Sequence, residues 1–178
     1  MEHKIPFSYA SSASVYGKTD HFTEDGELCP MNMYAYSKYL FDKKIERLIS
    51  LEWYQNSPFV VQGYRYFNVY GEGEDHKGDQ ASPIHKFSKQ AQETGIIKVF
   101  EGSENYRRDF INAEDIAILK IEMLARKISG IFNAGTGNAV SFMDIAQMIA
   151  QKYNAQIEII PFPDHLKGPV SYTHLTLP

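Results

Sequence analysis

Tyr34 and Lys38 are the pair of residues in this sequence whose types and spacing best fit proton transfer. They stand four positions apart in a predicted helix, so the phenol and the ammonium lie on one helix face. A neighbouring positive charge favours the phenolate, which can take a proton from a hydroxyl group that is being oxidised. About one such spacing is expected by chance in this composition, and Tyr39 with Lys43 is a second match, which we interpret as a solvated helix face.

A serine-rich segment, Ser11 to Gly17, precedes Tyr34 and follows a predicted strand. In parallel α/β sheets the carboxyl ends of the strands form the ligand crevice. Ser12 at such an end can donate a hydrogen bond to a substrate hydroxyl and to the oxyanion that forms from it. A serine-rich strand end is often only a turn. A strand end, a serine and a tyrosine–lysine pair together are much less often accidental.

The elements that must position these residues alternate in type, which predicts an α/β fold with a mainly parallel sheet. Helices are predicted from Asn32 to about Trp53, from Pro83 to Gly95, from Asn112 to Lys127 and from Ser141 to about Tyr153. Strands are predicted from Ile5 to Tyr9 and on into the small residues that follow, and at Phe59 to Tyr66, Ile96 to Phe100, Ile131 to Ala134 and Gln156 to Ile160. The segments from Asn68 to Gln80 and from Glu101 to Phe110 are predicted as loops.

The composition excludes several classes of protein. The chain has 178 residues, a net charge of −4, 43% hydrophobic and 22% charged residues, which is typical of globular proteins rather than disordered ones. The acidic balance argues against nucleic-acid binding, and we find no apolar run long enough for a membrane span and no signal peptide. A single cysteine, Cys29, excludes an intrachain disulfide and suits the cytoplasm.

Two other features suggest no chemistry. The histidines and Cys29 show no metal-ligand spacing with one another, so we predict no metal site. The glycines of Gly135 to Gly137 could suggest a phosphate loop, but the lysine and the serine or threonine of such a loop are missing. We interpret this segment as a turn before the helix that begins at Ser141.

Several motifs together resemble the extended short-chain dehydrogenase/reductase superfamily, which acts largely on nucleotide-linked sugars with bound NAD or NADP. They are SSASVYG at Ser11, YAYSK at Tyr34 and RYFNVYG at Arg65. Within that superfamily, four further motifs resemble the ADP-L-glycero-D-manno-heptose 6-epimerases of lipopolysaccharide synthesis. These are HKGDQAS at His76, FEGSENYRRDF at Phe100, GIFNAGTG at Gly130 and IPFPDHLKG at Ile160. The resemblance runs from about Phe7 to Gly168.

The resemblance implies an isomerase that inverts one carbon of a heptose. Hydride leaves the carbon that bears the hydroxyl, a transient ketone forms, and the hydride returns to the opposite face from the bound NADP. By matching position, Tyr34 is the first base and Lys77 the second catalytic acid/base, while Ser12 bonds the reacting oxygen. Lys77 can act near neutral pH if burial or a neighbouring cation favours its free amine. By residue type alone it is a solvated loop lysine.

The resemblance also implies contacts to cofactor and substrate. Lys38 holds the nicotinamide ribose, and Val69 and Lys77 line the cofactor pocket. Substrate contacts are implied at Asn68, Asp79, Lys86, Phe100, Glu101, Gly102, Ser103 and Arg108. Arg108 has a physical rationale, because a guanidinium grips diphosphate oxygens in two places. Without the resemblance we would read it as a surface ion pair with Asp109 or Glu104.

The resemblance further implies a partial Rossmann-like, doubly wound parallel sheet with a smaller α/β substrate-binding region. We assign 1–70 to the C-terminal part of the NADP-binding domain with the catalytic tyrosine and lysine, 71–168 mainly to the substrate region with strands returning to the first domain, and 169–178 to a tail with no pattern that connects it to the preceding elements. The glycine-rich NADP cradle expected of this superfamily does not occur in the sequence. We therefore expect the chain alone to bind NADP poorly and to be inactive. The complete enzyme is expected to be a homo-oligomer.

Two alternatives stay open. The chain could belong to another sugar-nucleotide epimerase or dehydratase of the superfamily. A dehydratase typically carries acidic residues after the serine or threonine at the strand end, whereas Ala13 and Ser14 follow Ser12 here. The chain could also be a non-catalytic fragment for sugar-nucleotide binding or oligomerisation.

Overall fold

The computed structural model describes residues 5–19 and 21–163, and they form two compact units. The first unit contains the described residues of Met1–Phe67 and Glu114–Ala134, and the second those of Asn68–Ala113 and Gly135–Pro178. The chain leaves the first unit after Phe67, returns to it for one helix and one strand, and then completes the second. The tail predicted at 169–178 lies outside the described residues.

Eight strands and five α-helices occur in the described residues. They follow one another as β1 (Phe7–Ser12), α1 (Met33–Ile49), α2 (Glu52–Gln55), β2 (Val61–Tyr66), β3 (Asn68–Tyr70), α3 (Pro83–Thr94), β4 (Ile96–Phe100), β5 (Arg107–Asn112), α4 (Ala113–Arg126), β6 (Gly130–Ala134), β7 (Ala139–Ser141), α5 (Phe142–Tyr153) and β8 (Gln156–Ile160). This alternation confirms the predicted α/β class.

The first unit is built on a parallel sheet with the strand order β1-β2-β6. Ser12 pairs with Tyr66, and Tyr66 pairs with Ala134, so the carboxyl ends of the three strands are level. Helix α1 lies in the connection from β1 to β2, as in a βαβ unit. Its core cluster contains Ile45 and residues of α2 and β2. This sheet is the Rossmann-like part that the sequence predicted.

Helix α1 begins where the sequence predicts and ends earlier. The Asn32 side chain caps it, because its amide oxygen accepts a hydrogen bond from Ala35 N at 2.7 Å. The predicted single helix to Trp53 is wrong, since the helix ends at Ile49 and a separate turn of helix begins at Glu52. Leu51 between them has an extended backbone, with ψ at 137°, which breaks the helical hydrogen-bond ladder.

The second unit packs helices α3 and α5 with short strands around its own core. β3 and β5 pair in parallel, β5 and β7 antiparallel, and β4 and β8 in parallel. The core contains Phe87, Val99, Phe110, Phe142 and Ile145. As predicted, α3 begins at Pro83, and Gly95 ends it in the left-handed conformation that favours glycine.

Two segments predicted as loops contain strands. β3 lies in the first of them, and β5 lies in the second. Burial increases along β5, from exposed Arg107 to buried Ile111. The strand therefore lacks the alternation of buried and exposed residues from which a strand is predicted. Its pairing with β3 and β7 is non-local, and only the fold supplies those partners. No helix among residues 5–19 and 21–163 has the length and apolar character needed to cross a membrane.

Replacing Ser141 with alanine should lower the free energy of unfolding by about 1 kcal/mol. Ser141 caps α5, because its Oγ accepts a hydrogen bond from Asp144 N at 3.0 Å while its own amide donates to Asp144 Oδ2 at 3.1 Å. Urea unfolding followed by circular dichroism measures the loss. Met148→Ala on the exposed face of the same helix is the control. An equal effect of both substitutions would contradict the capping role.

Candidate active site

Ser12 ends β1 and caps a 3-10 helix at Ala13–Tyr16. Its Oγ accepts hydrogen bonds from Ser14 N at 3.2 Å and from Ser14 Oγ at 2.9 Å. A serine hydroxyl has two acceptor positions and one donor hydrogen. Both bonds use acceptor positions, so the hydroxyl hydrogen is left to donate. This arrangement suits a serine that donates to an oxygen atom of a substrate.

The first turns of α1 place Tyr34 and Lys38 near the end of the same strand. Lys38 Nζ donates to the backbone oxygen of Ala10 at 2.9 Å and lies 5.6 Å from the centre of the Tyr34 ring. Ala10 stands two positions before Ser12 in β1. The Tyr34 side chain is half exposed, so the phenol is accessible. Ser12, Tyr34 and Lys38 therefore belong to one end of β1 within the first unit.

Tyr39 and Lys43 share the helical spacing but not the tie to the sheet. Lys43 Nζ lies 5.7 Å from the centre of the Tyr39 ring, almost the same distance as in the first pair. Its hydrogen bond, however, goes to Glu46 Oε2 of the same helix at 2.8 Å. The structure agrees with the interpretation of this pair as a solvated helix face. The bond from Lys38 to the strand is what distinguishes the first pair.

A buried polar network lies among the same elements, and the sequence analysis did not find it. Arg65 of β2 and Asp42 of α1 are both fully buried and joined at 3.0 Å from Nε to Oδ2. Tyr9 donates to the other oxygen of Asp42 at 2.9 Å. Burial and the Asp42 carboxylate raise the pKa of Tyr9 well above its usual range, so this phenol stays protonated.

The same arginine also holds the segment that follows Ser12. Arg65 Nη1 donates to Tyr16 Oη at 3.0 Å and to the backbone oxygen of Glu24 at 3.1 Å. Tyr16 in turn donates to Asn133 Oδ1 of β6 at 2.7 Å. Burial opposes the charge on the guanidinium, but the bonds to Tyr16 and Asp42 outweigh it and raise the pKa of Arg65. A charged arginine thus fixes the 3-10 helix next to Ser12.

One signal could have revealed this network from sequence. Asp42 continues the four-residue spacing of Tyr34 and Lys38, so the three residues lie on one stripe of α1. A buried aspartate at the end of such a stripe needs a cation. Arg65 begins the RYFNVYG motif and supplies that cation. Lys38 and Asp42 together fasten α1 to both β1 and β2.

In the second unit, Lys77 lies in a 3-10 segment at Glu74–Gln80. Its side chain is 40% exposed, and its Nζ lies 3.4 Å from Oε2 of buried Glu74. Burial or a neighbouring cation at this lysine would favour its free amine. The structure instead gives an anionic neighbour and a partly exposed side chain. Asp79 of the same segment is exposed, and Lys86 is half-buried in the first turn of α3.

The remaining predicted substrate residues fall in two places of the second unit. Phe100 packs in the core, 5.2 Å from the Phe162 ring centre, and Ser103 donates to its backbone oxygen. Glu101 is exposed, and Gly102 has a φ of +82° in the turn between them. The four residues therefore form one tight turn after β4, in which the side chains of Phe100 and Ser103 are buried.

Asn68 and Arg108 lie on the paired strands β3 and β5, and Val69 is half-buried beside Asn68. Asn68 Nδ2 donates to the backbone oxygen of Asp109 at 3.1 Å. Arg108 Nη1 donates to the backbone oxygen of Arg107 at 2.7 Å. The structure thus places Asn68 beside the stretch of β5 that contains Arg108.

Asp109 holds the bend that the sequence analysis placed at Gly135 to Gly137. Its Oδ1 accepts from Thr136 N at 2.9 Å and from Thr136 Oγ1 at 2.6 Å, and its Oδ2 accepts from Gly137 N at 2.8 Å. Gly137 has a φ of +76°, which favours glycine. The segment is a carboxylate-capped bend before α5, as predicted, and the short strand β7, which was not predicted, lies between the two.

The described residues could bind the nicotinamide and ribose part of a nicotinamide cofactor. Lys38 and Tyr34 stand together at the carboxyl end of a parallel strand, where α/β sheets bind nucleotides. The ammonium suits ribose hydroxyls, and the phenol suits the reacting oxygen beside the nicotinamide. Among residues 5–19 and 21–163, no group of three or more histidine, cysteine, aspartate or glutamate side chains could hold a metal ion.

The stability that Glu74 contributes should be lost in acid. Burial alone would raise its pKa, but hydrogen bonds from Ser82 and Gly71 and the charge of Lys77 outweigh it and lower the pKa below the ordinary 4.5. A lowered folded pKa gives stability that is complete above the unfolded pKa and lost as the pH falls through the folded one. We expect the difference in urea midpoint between the unmodified chain and Glu74→Gln to shrink steadily below about pH 5.

Glu72→Gln is the matched control for this prediction, because Glu72 is exposed in the same segment. Its small difference from the unmodified chain should not change over the same pH range. A Glu74→Gln difference that stays constant down to pH ~3 would show that the Glu74 carboxylate contributes nothing as an anion.

The fold and these residues match known proteins. The model of the NAD dependent epimerase/dehydratase family matches residues 2–135. The chain is 44% identical over 186 residues to the ADP-L-glycero-D-manno-heptose-6-epimerase of Alkalilimnicola ehrlichii, covering 99% of this chain and 57% of the relative. It therefore spans little more than half of that relative's length.

Two solved structures resemble the fold. The crystal structure of the Helicobacter pylori ADP-L-glycero-D-manno-heptose-6-epimerase is similar with a TM-score of 0.76 and 30% identity, covering 89% of this chain and 49% of that one. The UDP-N-acetylglucosamine 4-epimerase of Methanobrevibacter ruminantium has the same TM-score of 0.76 at 20% identity, with 93% and 52% covered, which shows the fold alone. With the family match over most of its length, the chain belongs to the NAD dependent epimerase/dehydratase family.

Proposed function

We propose that the chain is the part of an ADP-L-glycero-D-manno-heptose 6-epimerase that carries the acid/base residues. The observation that carries this proposal is the placement of Tyr34, which Lys38 ties to the end of β1 where Ser12 has a hydrogen to donate. The 44% identity to the Alkalilimnicola ehrlichii relative supports the choice of substrate. The pathway is then lipopolysaccharide heptose synthesis, and the single cysteine suits a cytoplasmic enzyme.

Tyr34 and Ser12 would act on the same oxygen atom. As phenolate, Tyr34 takes the proton of the substrate hydroxyl, and the Lys38 ammonium stabilises the negative charge on the phenol. Ser12 donates its hydrogen to the oxygen while that oxygen becomes a carbonyl. The hydride acceptor in this step, and the hydride donor when the ketone is reduced from its opposite face, would be a bound NADP. Val69 and Lys77 would also line its pocket, as the resemblance implies.

Inversion needs proton transfer for two orientations of the sugar. We assign the second orientation to Lys77, on the resemblance of the HKG segment. The ketone oxygen then receives its proton from Lys77 in place of Tyr34, and the net reaction leaves the redox state unchanged. Substrate contacts are assigned to Asn68, Asp79, Lys86, Phe100, Glu101, Gly102, Ser103 and Arg108. For the side chains of Phe100 and Ser103 the role is to shape the turn, since both are buried.

Calorimetric titration of the chain with the ADP-heptose and with UDP-glucose, each with and without NADP, tests the substrate. We expect the ADP-sugar to bind more tightly and NADP to bind poorly, because the sequence has no glycine-rich cradle. Tighter binding of UDP-glucose favours another sugar-nucleotide epimerase or a dehydratase. ADP-sugar binding without any NADP effect is a result that a non-catalytic binding or oligomerisation fragment also gives, so the turnover of a chimaera must separate these two interpretations.

A chimaera tests the chemistry. In it, this chain replaces the segment of the Alkalilimnicola ehrlichii relative with which it aligns. We expect the chimaera to epimerise the ADP-heptose and the isolated chain not to do so. Turnover by the isolated chain would contradict the need for a cradle, and an inactive but folded chimaera would contradict the assignment of these residues. The chimaera's mass in solution tests the expected homo-oligomer.

A further inference from the structure

We propose that Glu74 is a positioning residue for Lys77. One buried carboxylate closes the segment that carries this lysine and holds its ammonium in place. The inference rests on the role proposed for Lys77, but the contacts that carry it are independent of that role. They lie entirely within the second unit.

The carboxylate of Glu74 takes hydrogen bonds from both ends of the segment. The Glu74 side chain is 3% exposed. Its Oε1 accepts from Gly71 N at 3.1 Å and from Ser82 Oγ at 2.8 Å, and its Oε2 accepts from Ser82 N at 2.8 Å. Gly71 precedes the segment and Ser82 follows it. The bonds therefore close residues 71–82 into a ring around one side chain.

Lys77 adds a fourth donor to this carboxylate. Its Nζ lies 3.4 Å from Oε2. A carboxylate offers about four lone-pair positions, so the lysine completes the set. The other three donors are backbone amides and a buried hydroxyl, whereas the lysine side chain is 40% exposed. Lys77 can leave for a substrate while three bonds continue to satisfy Glu74.

The backbone around Lys77 shows why such a restraint matters. Gly73 and Gly78 stand on either side of the lysine with φ of +78° and +51°, and a Cβ on either would meet nothing within 4 Å. Glycines give a segment large conformational freedom. The Glu74 carboxylate offsets that freedom and keeps the ammonium near a single point. A proton donor held in place in advance loses less entropy when it acts.

Acetylation of single lysines measures the restraint on the chain itself. The folded chain is treated with a limiting amount of acetic anhydride, and mass spectrometry gives the rate at Lys77 relative to exposed Lys89 and Lys98. An ammonium held on a carboxylate reacts slowly. We expect Glu74→Gln to raise the relative rate at Lys77 about two- to fivefold, the range for the loss of a partly exposed ion pair. Glu72→Gln should leave it unchanged.

Ser82→Ala separates positioning from a merely structural role. It removes the hydrogen bond from Ser82 Oγ to Glu74 but keeps the charge of Glu74 beside the lysine. The relative acetylation rate at Lys77 should therefore rise less than in Glu74→Gln. Equal rates in these two variants, or no change in Glu74→Gln, would overturn the proposal. Glu74→Asp draws the carboxylate back by one methylene and serves if Glu74→Gln does not fold. Its relative acetylation rate at Lys77 must then still be higher than that of Ser82→Ala.

The result separates this inference from the proposed function. A chimaera that keeps its turnover with Lys77→Ala refutes the role of Lys77 as an acid/base group. The acetylation rates would still show whether Glu74 holds the lysine. Conversely, a loss of turnover with Lys77→Ala together with unchanged acetylation in Glu74→Gln would support the acid/base role of Lys77 and refute the positioning role of Glu74.

Discussion

Asp42→Ala will lower the free energy of unfolding of this chain by about 3–5 kcal/mol. Asp42 and Arg65 are both fully buried, and the substitution leaves the guanidinium without the carboxylate on its Nε. Tyr9 loses its acceptor in the same step. Removing one partner of a buried ion pair costs more than the pair contributes, because the remaining charge stays desolvated. Urea unfolding followed by circular dichroism and by the fluorescence of Trp53 in the first unit measures the loss.

The exposed pair of Lys43 and Glu46 on the same helix is the matched control. Its side chains are 48% and 38% exposed, so solvent screens the attraction, and Lys43→Met should cost less than about 1 kcal/mol. The double variant Asp42→Leu with Arg65→Met should recover most of the loss, since no charge is then left buried. If Asp42→Ala costs no more than Lys43→Met, the network does not hold α1 to the sheet.

Tyr34→Phe will lower the turnover of the chimaera by about a hundred- to ten-thousandfold, the range for the loss of a general acid/base group. Phenylalanine keeps the ring beside Lys38 and removes only the hydroxyl. The folded state and the affinity for the ADP-heptose should therefore change little. Initial rates of epimerisation over a range of substrate concentrations give kcat and KM separately. We expect kcat to fall and KM to change little.

Tyr39→Phe is the control for this prediction. Tyr39 stands at almost the same distance from Lys43 as Tyr34 from Lys38, but Lys43 is bonded to Glu46 and not to the sheet. Removing the Tyr39 hydroxyl should leave kcat within about twofold of the unmodified chimaera, as for other surface substitutions. Equal losses at both tyrosines would mean that the spacing matters and the strand end does not. No loss at Tyr34 would remove it from the reaction.

The local elements could be read from the sequence because their signals are local. Asn32, Ser141 and Gly95 stand at helix ends where backbone groups need a partner or a left-handed turn, and the structure uses all three in this way. The strand β5 could not be read in the same way. Its residues pass from exposed to buried without alternation, and its partners lie far away in the chain.

The sequence by itself determined the α/β class, the capped starts of α1 and α5, the glycine end of α3 and the resemblance that singles out Tyr34, Lys38, Ser12 and Lys77. Only the tertiary structure showed the bond from Lys38 to Ala10 that distinguishes this pair from Tyr39 and Lys43, because that bond joins residues far apart in the chain. It also revealed the partner of Asp42 and the four donors around Glu74. A buried charge shows its role only where folding brings the opposite charge and the hydrogen-bond donors to it.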